Sequence, residues 1–444
     1  MKVCLSNLGC KLNQAELESL ARQFHGAGFT VVGRLEEAEL HVVNTCTVTH
    51  LAARDSRKTA RRGARLGGIQ TVLTGCYATE MPEEAAGLDG VALVVENDVK
   101  HDLLARVIEH LGVDAPAPRE RDGVDVSYVP LVFGNSRAAL KIEDGCNMKC
   151  SFCIIPYTRG RQRSRTIDES VEELNSLVRS GVREVVVTGV QISSYRSGED
   201  RLVDVVAAML ERSDIERLRL TSIAPWQFDE RLFALLREER LCRHVHLSLQ
   251  SGCDDTLRRM RRPYTAAQYA ELVDRLRWEV PGIAVTTDVI VGFPGETERE
   301  FAESYEFVER IGFTRTHVFT FSPRIGTRAA EMPDSVAHAV KKERTRQLID
   351  VAAASERAFN AAQVGEELGV LWEEERNGLL RGTSDNYVRV VLEPGFGGDD
   401  PSPGDVGTVR ITAVREEAPW PGVVGAPLTP RRIATPQLVE LSVR

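Results

Sequence analysis

The 444-residue chain has no apolar run that approaches the roughly 20 residues needed to span a bilayer. Its first residues lack the apolar stretch and the cleavage site of a signal peptide. It also lacks an excess of positive charge: the formal net charge is −9, which argues against a protein that coats nucleic acid without specificity. We therefore expect a cytoplasmic protein that makes no contact with membranes.

Composition and length describe an ordinary globular protein of several domains. Hydrophobic residues make up 42% of the chain and charged residues 27%, and the length suits about three domains. In a cytoplasmic protein, nine cysteines are better explained as metal ligands, reactive groups or buried thiols than as disulfides. The positions of the cysteines are therefore informative.

Three cysteines lie within eight residues of one another: Cys146, Cys150 and Cys153, here called the Cys146 triplet. Three thiolates can hold three irons of a 4Fe–4S cube and leave the fourth iron open to a cofactor. The alternative is structural zinc, which needs four ligands, usually as two pairs. No Cys or His follows at a spacing that would complete such a set. The spacing favours an iron–sulfur site.

Residues 1–112 alternate apolar strand patterns with helical patterns, which predicts a parallel sheet covered on both faces. Strands are expected at Lys2–Leu8, Leu40–Thr45, Gln70–Thr74 and Val91–Val95. Cys10, Cys46 and Cys76, here called the Cys10 triplet, each follow the carboxyl end of one of the first three strands. Because sites in such folds form outside those ends, we expect a second three-cysteine cluster there rather than three unrelated core thiols.

A proline-containing linker is expected over 113–136, and residues 137–364 then repeat a strand-and-helix unit. Six strands are expected, at Ala138–Glu143, Arg183–Thr188, Arg217–Ser222, Val245–Leu249, Ala284–Val291 and Thr316–Phe321. Six units in a row predict a partial βα barrel, whose site would lie on the loops after the strands. The Cys146 triplet is on the first of these loops.

Over residues 365–430 the pattern changes to short strand segments. This pattern predicts a small antiparallel β-barrel of a kind that binds nucleic acid. Strands are expected at Leu368–Trp372, Leu379–Gly382, Tyr387–Leu392 and Thr408–Val414, separated by turn signals. The proline-rich end after Pro419 is expected to be irregular, with a tail over 431–444.

The two triplets, in this domain order, resemble the radical S-adenosylmethionine (SAM) methylthiotransferases over nearly the whole chain. The segments around Cys10 and Cys46, Gly9–Glu16 and Asn44–Thr49, are most similar to the branch that acts on threonylcarbamoyladenosine in tRNA. The resemblance implies an α/β protein with three parts: an N-terminal flavodoxin-like parallel domain, a central partial (βα)6 barrel of the radical SAM type, and a C-terminal TRAM-like β-barrel.

The resemblance also implies two 4Fe–4S clusters and SAM as cofactors. The Cys146 triplet would ligate the cluster that binds and cleaves SAM, giving a deoxyadenosyl radical that takes hydrogen from carbon 2 of an adenine. The Cys10 triplet would hold the second cluster and a methylsulfide that joins that carbon. An electron donor such as flavodoxin or ferredoxin would be required.

The resemblance also implies that further residues contact SAM. Phe152 matches the aromatic position near the adenine of SAM. Gly189 and Gln191 end the second barrel strand, where many radical SAM enzymes carry Gly-Gly-Glu; the Gly-Val-Gln of this chain departs from that pattern. Ser222, Gln250 and Asp288 end later strands and face the same mouth. No catalytic residue is assigned.

The expected partner is a tRNA anticodon stem-loop, with Arg159, Arg161, Arg381 and Arg389 as RNA contacts. The C-terminal module is rich in acidic residues, which keeps protein substrates open. The alternatives are a methylthiotransferase for isopentenyl-adenosine in tRNA or for an aspartate of a ribosomal protein. A non-enzymatic iron–sulfur or zinc RNA-binding protein is the third alternative.

Overall fold

The computed structural model describes residues 1–112, 136–392, 401–416 and 421–429, which form three units in chain order. The predicted linker, apart from its last residue, and the predicted tail over 431–444 lie outside the described residues. Among the helices of the described residues, none combines the length and apolar character that crossing a membrane requires.

The first unit is a parallel α/β structure. Its elements are β1 (Lys2–Asn7), α1 (Lys11–Gly26), β2 (Thr30–Val32), β3 (Leu40–Thr45), α2 (His50–Ala60), α3 (Arg62–Arg65), β4 (Gln70–Gly75), α4 (Cys76–Glu80), α5 (Pro82–Ala86), β5 (Val91–Val95) and α6 (Leu103–Leu111). The strand order is β2-β1-β3-β4-β5, and every neighbouring pair is parallel. This order confirms the predicted flavodoxin-like class.

The alternating directions of apolar side chains along the strands explain why helices cover both faces of this sheet. In β3, Val42 packs with Phe24 of α1 and Val107 of α6, whereas Val43 packs with Ala53 of α2. Successive strand side chains point to opposite faces, so each face gains its own apolar core. The prediction misses β2, α4 and α5 because elements of three to five residues are too short to show a period.

The second unit repeats strand and helix and forms an open half-barrel. Its elements are β6 (Arg137–Lys141), β7 (Glu143–Asp144), α7 (Ile155–Thr158), β8 (Arg163–Ser164), α8 (Ile167–Arg179), β9 (Glu184–Thr188), β10 (Arg196–Ser197), β11 (Asp200–Arg201), α9 (Leu202–Glu211), β12 (Arg217–Leu220), α10 (Leu232–Leu235), β13 (His244–His246), α11 (Asp254–Arg259), α12 (Ala266–Glu279), β14 (Ala284–Val291), α13 (Glu298–Ile311) and β15 (Arg315–Thr320). Short 3-10 turns lie at Leu35–Glu37, Lys100–Asp102, Ile192–Ser194, Pro225–Gln227 and Arg328–Ala330.

Strands β6, β9 and β12 form one parallel sheet and β13, β14 and β15 another. Parallel bridges from Leu218 to Leu241 and from Ile223 to Leu247 join the two sheets, which confirms the predicted partial barrel. Valines such as Val185 face the helices. The alternate positions therefore line an inner lumen, and most of them are polar: Glu184, Thr188, Arg217, Arg219, His244, His246, Thr286, Asp288, Arg315 and His317.

The third unit begins with a long helix, α14 (His338–Ala361), which leads to a closed barrel. The barrel strands are β16 (Glu367–Arg376), β17 (Leu379–Ser384), β18 (Arg389–Leu392), β19 (Val406–Arg415) and β20 (Gly422–Thr429), in the order β16-β17-β18-β20-β19. The sequence pattern does not predict α14, because its buried side includes Lys341, Arg344 and Asn360, which obscure the apolar period.

The expectation of an irregular segment after Pro419 is wrong for β20. This strand pairs antiparallel with β19 and parallel with β18, so the barrel is closed but not wholly antiparallel. Its glycines and Pro427 weaken the strand pattern in the sequence. Gly425 has a structural reason, since a Cβ at this position would lie 2.9 Å from Val409 and 3.0 Å from Val390.

The third unit closes the amino end of the half-barrel lumen through a buried ion cluster. Glu184, the first residue of β9, accepts hydrogen bonds from the Nε atoms of Arg217 at 2.7 Å and Arg219 at 2.8 Å. The same guanidiniums donate to the carbonyls of Gly369 at 2.8 Å and Ser384 at 2.9 Å. Because the third unit covers the amino end, the carboxyl end of the lumen is the end available for a reaction site.

We expect Glu184→Gln to lower the free energy of unfolding by about 3–5 kcal/mol, because it leaves the buried Arg217 and Arg219 without a counter-charge. Burial opposes ionisation of Glu184, yet Arg219 and Arg217 hold its pKa far below its usual range. Anaerobic denaturant unfolding followed by circular dichroism measures the loss. The control is Glu172→Gln, an exposed position on α8. A loss no larger than that of the control would contradict the structural role.

Candidate active site

The Cys10 triplet lies at the carboxyl edge of the first sheet. Cys10 directly precedes α1, Cys46 follows β3, and Cys76 begins α4. Burial, with a further contribution from neighbouring thiols of the triplet, raises the pKa of Cys10 and of Cys46, so the three sulfurs lie close together. Gly9, with φ +99°, permits this approach, since a Cβ there would lie 2.8 Å from the Cys46 sulfur.

The Cys146 triplet lies on the loop that follows β6 and the short strand β7. This loop is held against the end of α11. The backbone N–H of Ser151 donates to the carbonyl of Met260 at 3.2 Å, and its hydroxyl donates to the carbonyl of Arg259 at 2.8 Å. The Arg262 guanidinium donates to the Cys150 sulfur at 3.5 Å. A sulfur of the triplet therefore lies beside a cation.

The thiols in both triplets have the chemistry of cluster ligands. Burial, with further contributions from Cys76 and Cys10, raises the pKa of Cys46 to about 11. Burial and the neighbouring Cys150 raise the pKa of Cys153 to about 12. Crowded thiols of this kind release their protons when a cationic metal group binds. The donor sets therefore fit iron clusters.

The separation of the sulfurs argues against a single zinc ion. Zinc with sulfurs about 2.3 Å away would draw them to within about 3.8 Å of one another. In the part of the chain that the structure describes, one group of three such ligands has all its ligand atoms within 4.8 Å: Cys253, Asp255 and Glu300. Both of its carboxylates are already paired with arginines. Neither thiol triplet meets this limit, so neither is drawn together as ligands of one zinc ion would be.

The two triplets are neighbours across the junction between the first and second units. The Asn97 side-chain amide donates to the carbonyl of Thr158 at 2.9 Å and lies 3.9 Å from the Cys76 sulfur. Thr158 ends α7, the helix that follows Cys153. One side chain thus spans from the Cys10 triplet to the helix that directly follows the Cys146 triplet.

Arg159 is buried at the same junction and is not an RNA contact. Its guanidinium donates to Glu16 at 2.8 Å and to Asp144 at 3.0 Å, and it also bonds to Asn13. Only 3% of the residue is exposed. The RNA contact predicted for Arg159 is therefore wrong, because these protein carboxylates already occupy the guanidinium.

The remaining predicted RNA contacts differ in exposure. Arg161 is exposed on the loop that follows the Cys146 triplet, and Arg389 is half-buried on β18. Arg381 is buried inside the C-terminal barrel with 2% of its surface exposed, so the RNA contact predicted for it is wrong. For Arg161 and Arg389, the RNA contact stays a prediction.

Three of the predicted SAM contacts, Phe152, Ser222 and Gln250, lie at the carboxyl end of the half-barrel. Phe152 packs on Phe293, with ring centroids 6.4 Å apart, in an apolar cluster with Met260 and Phe321. Ser222 and Gln250 are non-glycine residues with positive φ, of 50° and 70°. Backbone strain of this kind concentrates at binding sites. Their contacts with SAM stay predictions.

Gly189 and Gln191 frame a buried carboxylate that the sequence pattern does not single out, Glu143. The Gln191 backbone N–H donates to Glu143 Oε2 at 3.0 Å, and a Cβ on Gly189 would lie 2.5 Å from that oxygen. Burial raises the pKa of Glu143 to about 8. Its other oxygen is buried and has no partner among the described residues.

Asp288 lies in the middle of β14 rather than at its end as predicted, and both of its oxygens are paired. His246 and His317 contact it at 3.2 and 3.3 Å, so the geometry favours a role in holding these imidazoles over direct contact with SAM. Both histidines are absent from the sequence prediction. Each lies inside a strand, and their proximity follows from strand register rather than from any motif.

A groove of about 900 Å³ opens beside the junction, between the start of α2 and the end of β15. Its wall includes His50, Leu51, Phe319, His338 and Lys341. Leu51 and Phe319 are large apolar side chains with more than a third of their surface exposed. The exposed rings of Phe319, His50 and His338 suit this wall to unstacked nucleotides.

Comparisons agree with this arrangement. The radical SAM superfamily model matches residues 140–308, and the model described as uncharacterized protein family UPF0004 matches residues 2–96. A solved radical SAM methyltransferase, TsrM from Kitasatospora setae, superposes with a TM-score of 0.55 at 19% identity. That match covers 72% of each chain and supports the fold of the half-barrel.

Two curated relatives match most of the chain. The threonylcarbamoyladenosine tRNA methylthiotransferase MtaB of Bacillus subtilis is 36% identical over 88% of this chain and 90% of its own length. The tRNA-2-methylthio-N(6)-dimethylallyladenosine synthase of Syntrophomonas wolfei is 36% identical over 78% and 81%. With both thiol triplets in place at one junction, the chain belongs to the radical SAM methylthiotransferase family, whose members use two 4Fe–4S clusters and SAM.

Proposed function

We propose that this enzyme transfers a methylthio group to carbon 2 of threonylcarbamoyladenosine beside the anticodon of tRNA. The observation that carries the proposal is the meeting of the two thiol triplets at one junction, since a radical source and a sulfur store must reach the same carbon. The relatives named for threonylcarbamoyladenosine favour this base. The relatives named for dimethylallyladenosine make that base the second candidate.

The bound cofactors supply the radical and the methylthio group, and the protein supplies position and exclusion of water. The Cys146 triplet would hold the cluster that binds SAM, with Arg262 beside Cys150. The Cys10 triplet would hold the second cluster. Glu143, whose free oxygen is buried at the mouth, suits a cationic group such as the ammonium of SAM, whose charge would favour the ionised form of this carboxyl.

The groove beside α2 offers a route for the RNA loop. Phe319 presents an exposed ring in the groove wall on which a base can stack, and the exposed Arg161, on the loop after the Cys146 triplet, offers charge for phosphates. An adenine in an anticodon loop is unpaired and can enter such a site without breaking a duplex. We further propose flavodoxin or ferredoxin as the electron donor and the cytoplasm as the compartment.

Deletion of the gene in its host is expected to remove 2-methylthio-threonylcarbamoyladenosine from tRNA and to leave the unthiolated base in its place. Mass spectrometry of tRNA nucleosides measures both, and re-expression of the gene is the control. Loss of the methylthio-dimethylallyl nucleoside instead would promote the second candidate. Unchanged tRNA, with a mass loss on a ribosomal protein, would reject a tRNA substrate.

Removal of each triplet should have a different effect on the activity of the enzyme. Replacing Cys10, Cys46 and Cys76 by alanine is expected to remove about half of the iron, because one cube is lost. It should leave reductive SAM cleavage intact while abolishing methylthio transfer. Alanines in the Cys146 triplet should remove as much iron and also abolish cleavage. Iron analysis and deoxyadenosine release measure this, with Cys4→Ala as the control. Loss of cleavage in both folded variants would contradict the assignment.

In the absence of SAM, the free energy of unfolding of Glu143→Gln should exceed that of the unaltered protein by an amount that grows as pH rises from 4.5 to about 8. In the folded protein the Glu143 carboxyl stays protonated up to about pH 8, whereas in the unfolded chain it ionises near 4.5. Stability of the unaltered protein therefore falls across this window, on the order of a few kcal/mol. Denaturant unfolding at several pH values tests this against Glu172→Gln. A difference that does not vary with pH would contradict it.

A further inference from the structure

Three neighbouring strands place His246, Asp288 and His317 together on the lumen side of the half-barrel. Asp288 of β14 lies directly opposite His317 of β15 in the strand register. Val245, Val289 and their neighbours on the other face pack under the helices, so the two histidines and the aspartate face the lumen.

The hydrogen bonds leave one nitrogen of this cluster available. Asp288 Oδ2 contacts His246 Nε2 at 3.2 Å, and Asp288 Oδ1 contacts His317 Nδ1 at 3.3 Å. His246 also bonds through Nδ1 to the hydroxyl of Thr286 at 3.1 Å. His317 Nε2 has no hydrogen-bond partner in the described ranges, and 49% of this side chain is exposed. Asp288 therefore orients the His317 imidazole through Nδ1, and the Nε2 atom remains available to a ligand.

This cluster lies one layer of side chains below the mouth. Ile290, two residues after Asp288 on β14, faces the same lumen and packs in the apolar cluster that includes Phe152 of the Cys146 loop. Two residues along a strand advance the chain by about 7 Å. On β15, Phe319 follows His317 by the same step and lines the groove. His317 therefore lies one such step along β15 from a residue of the groove wall, on the same face of the strand.

The two candidate substrates differ in what they offer to this imidazole. The threonylcarbamoyl group ends in a carboxylate, whereas the dimethylallyl group is a hydrocarbon. A protonated imidazole held by a carboxylate is a charged donor suited to an anion. Against a hydrocarbon, the same donor would lose its bound water and gain no hydrogen-bond partner. A site with such an unpaired donor discriminates strongly against the dimethylallyl base.

We propose that His317, oriented by Asp288 and His246, binds the carboxylate of the N6 threonylcarbamoyl group and so selects this adenosine over hydrophobically substituted ones. The proposal rests on the proposed function. It makes His317 a specificity-determining residue and the other two residues positioning groups.

The test uses the cluster-loaded enzyme and three synthetic anticodon stem-loops that differ only at N6: threonylcarbamoyl, its neutral methyl ester, and dimethylallyl. For His317→Leu we expect kcat/KM on the threonylcarbamoyl RNA to fall roughly 10- to 100-fold, mainly through KM, as for loss of one hydrogen bond to a charged group. The unaltered enzyme should lose a similar factor on the methyl ester. His317→Leu should lose little more on the ester, because the two changes remove the same contact.

His110→Leu, an exposed histidine at the end of α6, is the matched control and should behave as the unaltered enzyme. SAM cleavage without RNA should be equal in all three proteins, and activity of His317→Leu on the dimethylallyl RNA should be unchanged or raised. An equal loss on all three RNAs, or no loss on any, would overturn the inference about His317. A preference of the unaltered enzyme for dimethylallyl RNA would overturn the proposed function and the inference with it.

Discussion

The arrangement depends on a buried guanidinium between two domains. Arg159 follows the Cys146 triplet and is held by Glu16 of α1 and by Asp144 beside the first barrel strand. Lys100 and Lys141 complete the charge balance around Glu16. A buried charge of this kind is tolerated only when it is fully paired, so the first two domains are held in one relative position. That position is what brings two distant sets of cysteines to one junction.

The lumen of the half-barrel is organised between two ends. At the amino end, Tyr387 from the C-terminal barrel stacks on His244 with ring centroids 4.1 Å apart, above the Glu184 ion cluster. At the carboxyl end, the thiol loop, Phe152 and Glu143 form the mouth. Polar residues between these ends, including His317, line the space in which a substrate substituent must fit. The C-terminal barrel therefore has a structural role in this enzyme as well as any role in binding RNA.

The arginines show where motif reasoning succeeds and where it fails. Arg159, Arg161, Arg381 and Arg389 are equal candidates for phosphate binding when only residue type and neighbourhood are considered. Folding gives them different roles: Arg159 and Arg381 are buried, Arg389 is half-buried, and Arg161 remains exposed. Nothing in a linear sequence reports which cations will meet a carboxylate from another domain. One carboxylate partner of Arg159, Glu16, lies 143 residues away along the chain.

The sequence by itself determined the domain order, both thiol triplets and the family. These features are local: a strand pattern followed at once by a cysteine is visible in a few residues, because parallel strands end at the same edge of a sheet. Only the tertiary structure decided that Glu143 lies beside Gln191, that Asp288 holds two histidines, and that β20 closes the barrel. Each of these depends on strand register or on packing between segments far apart in the chain, and such contacts leave no period or spacing in the sequence.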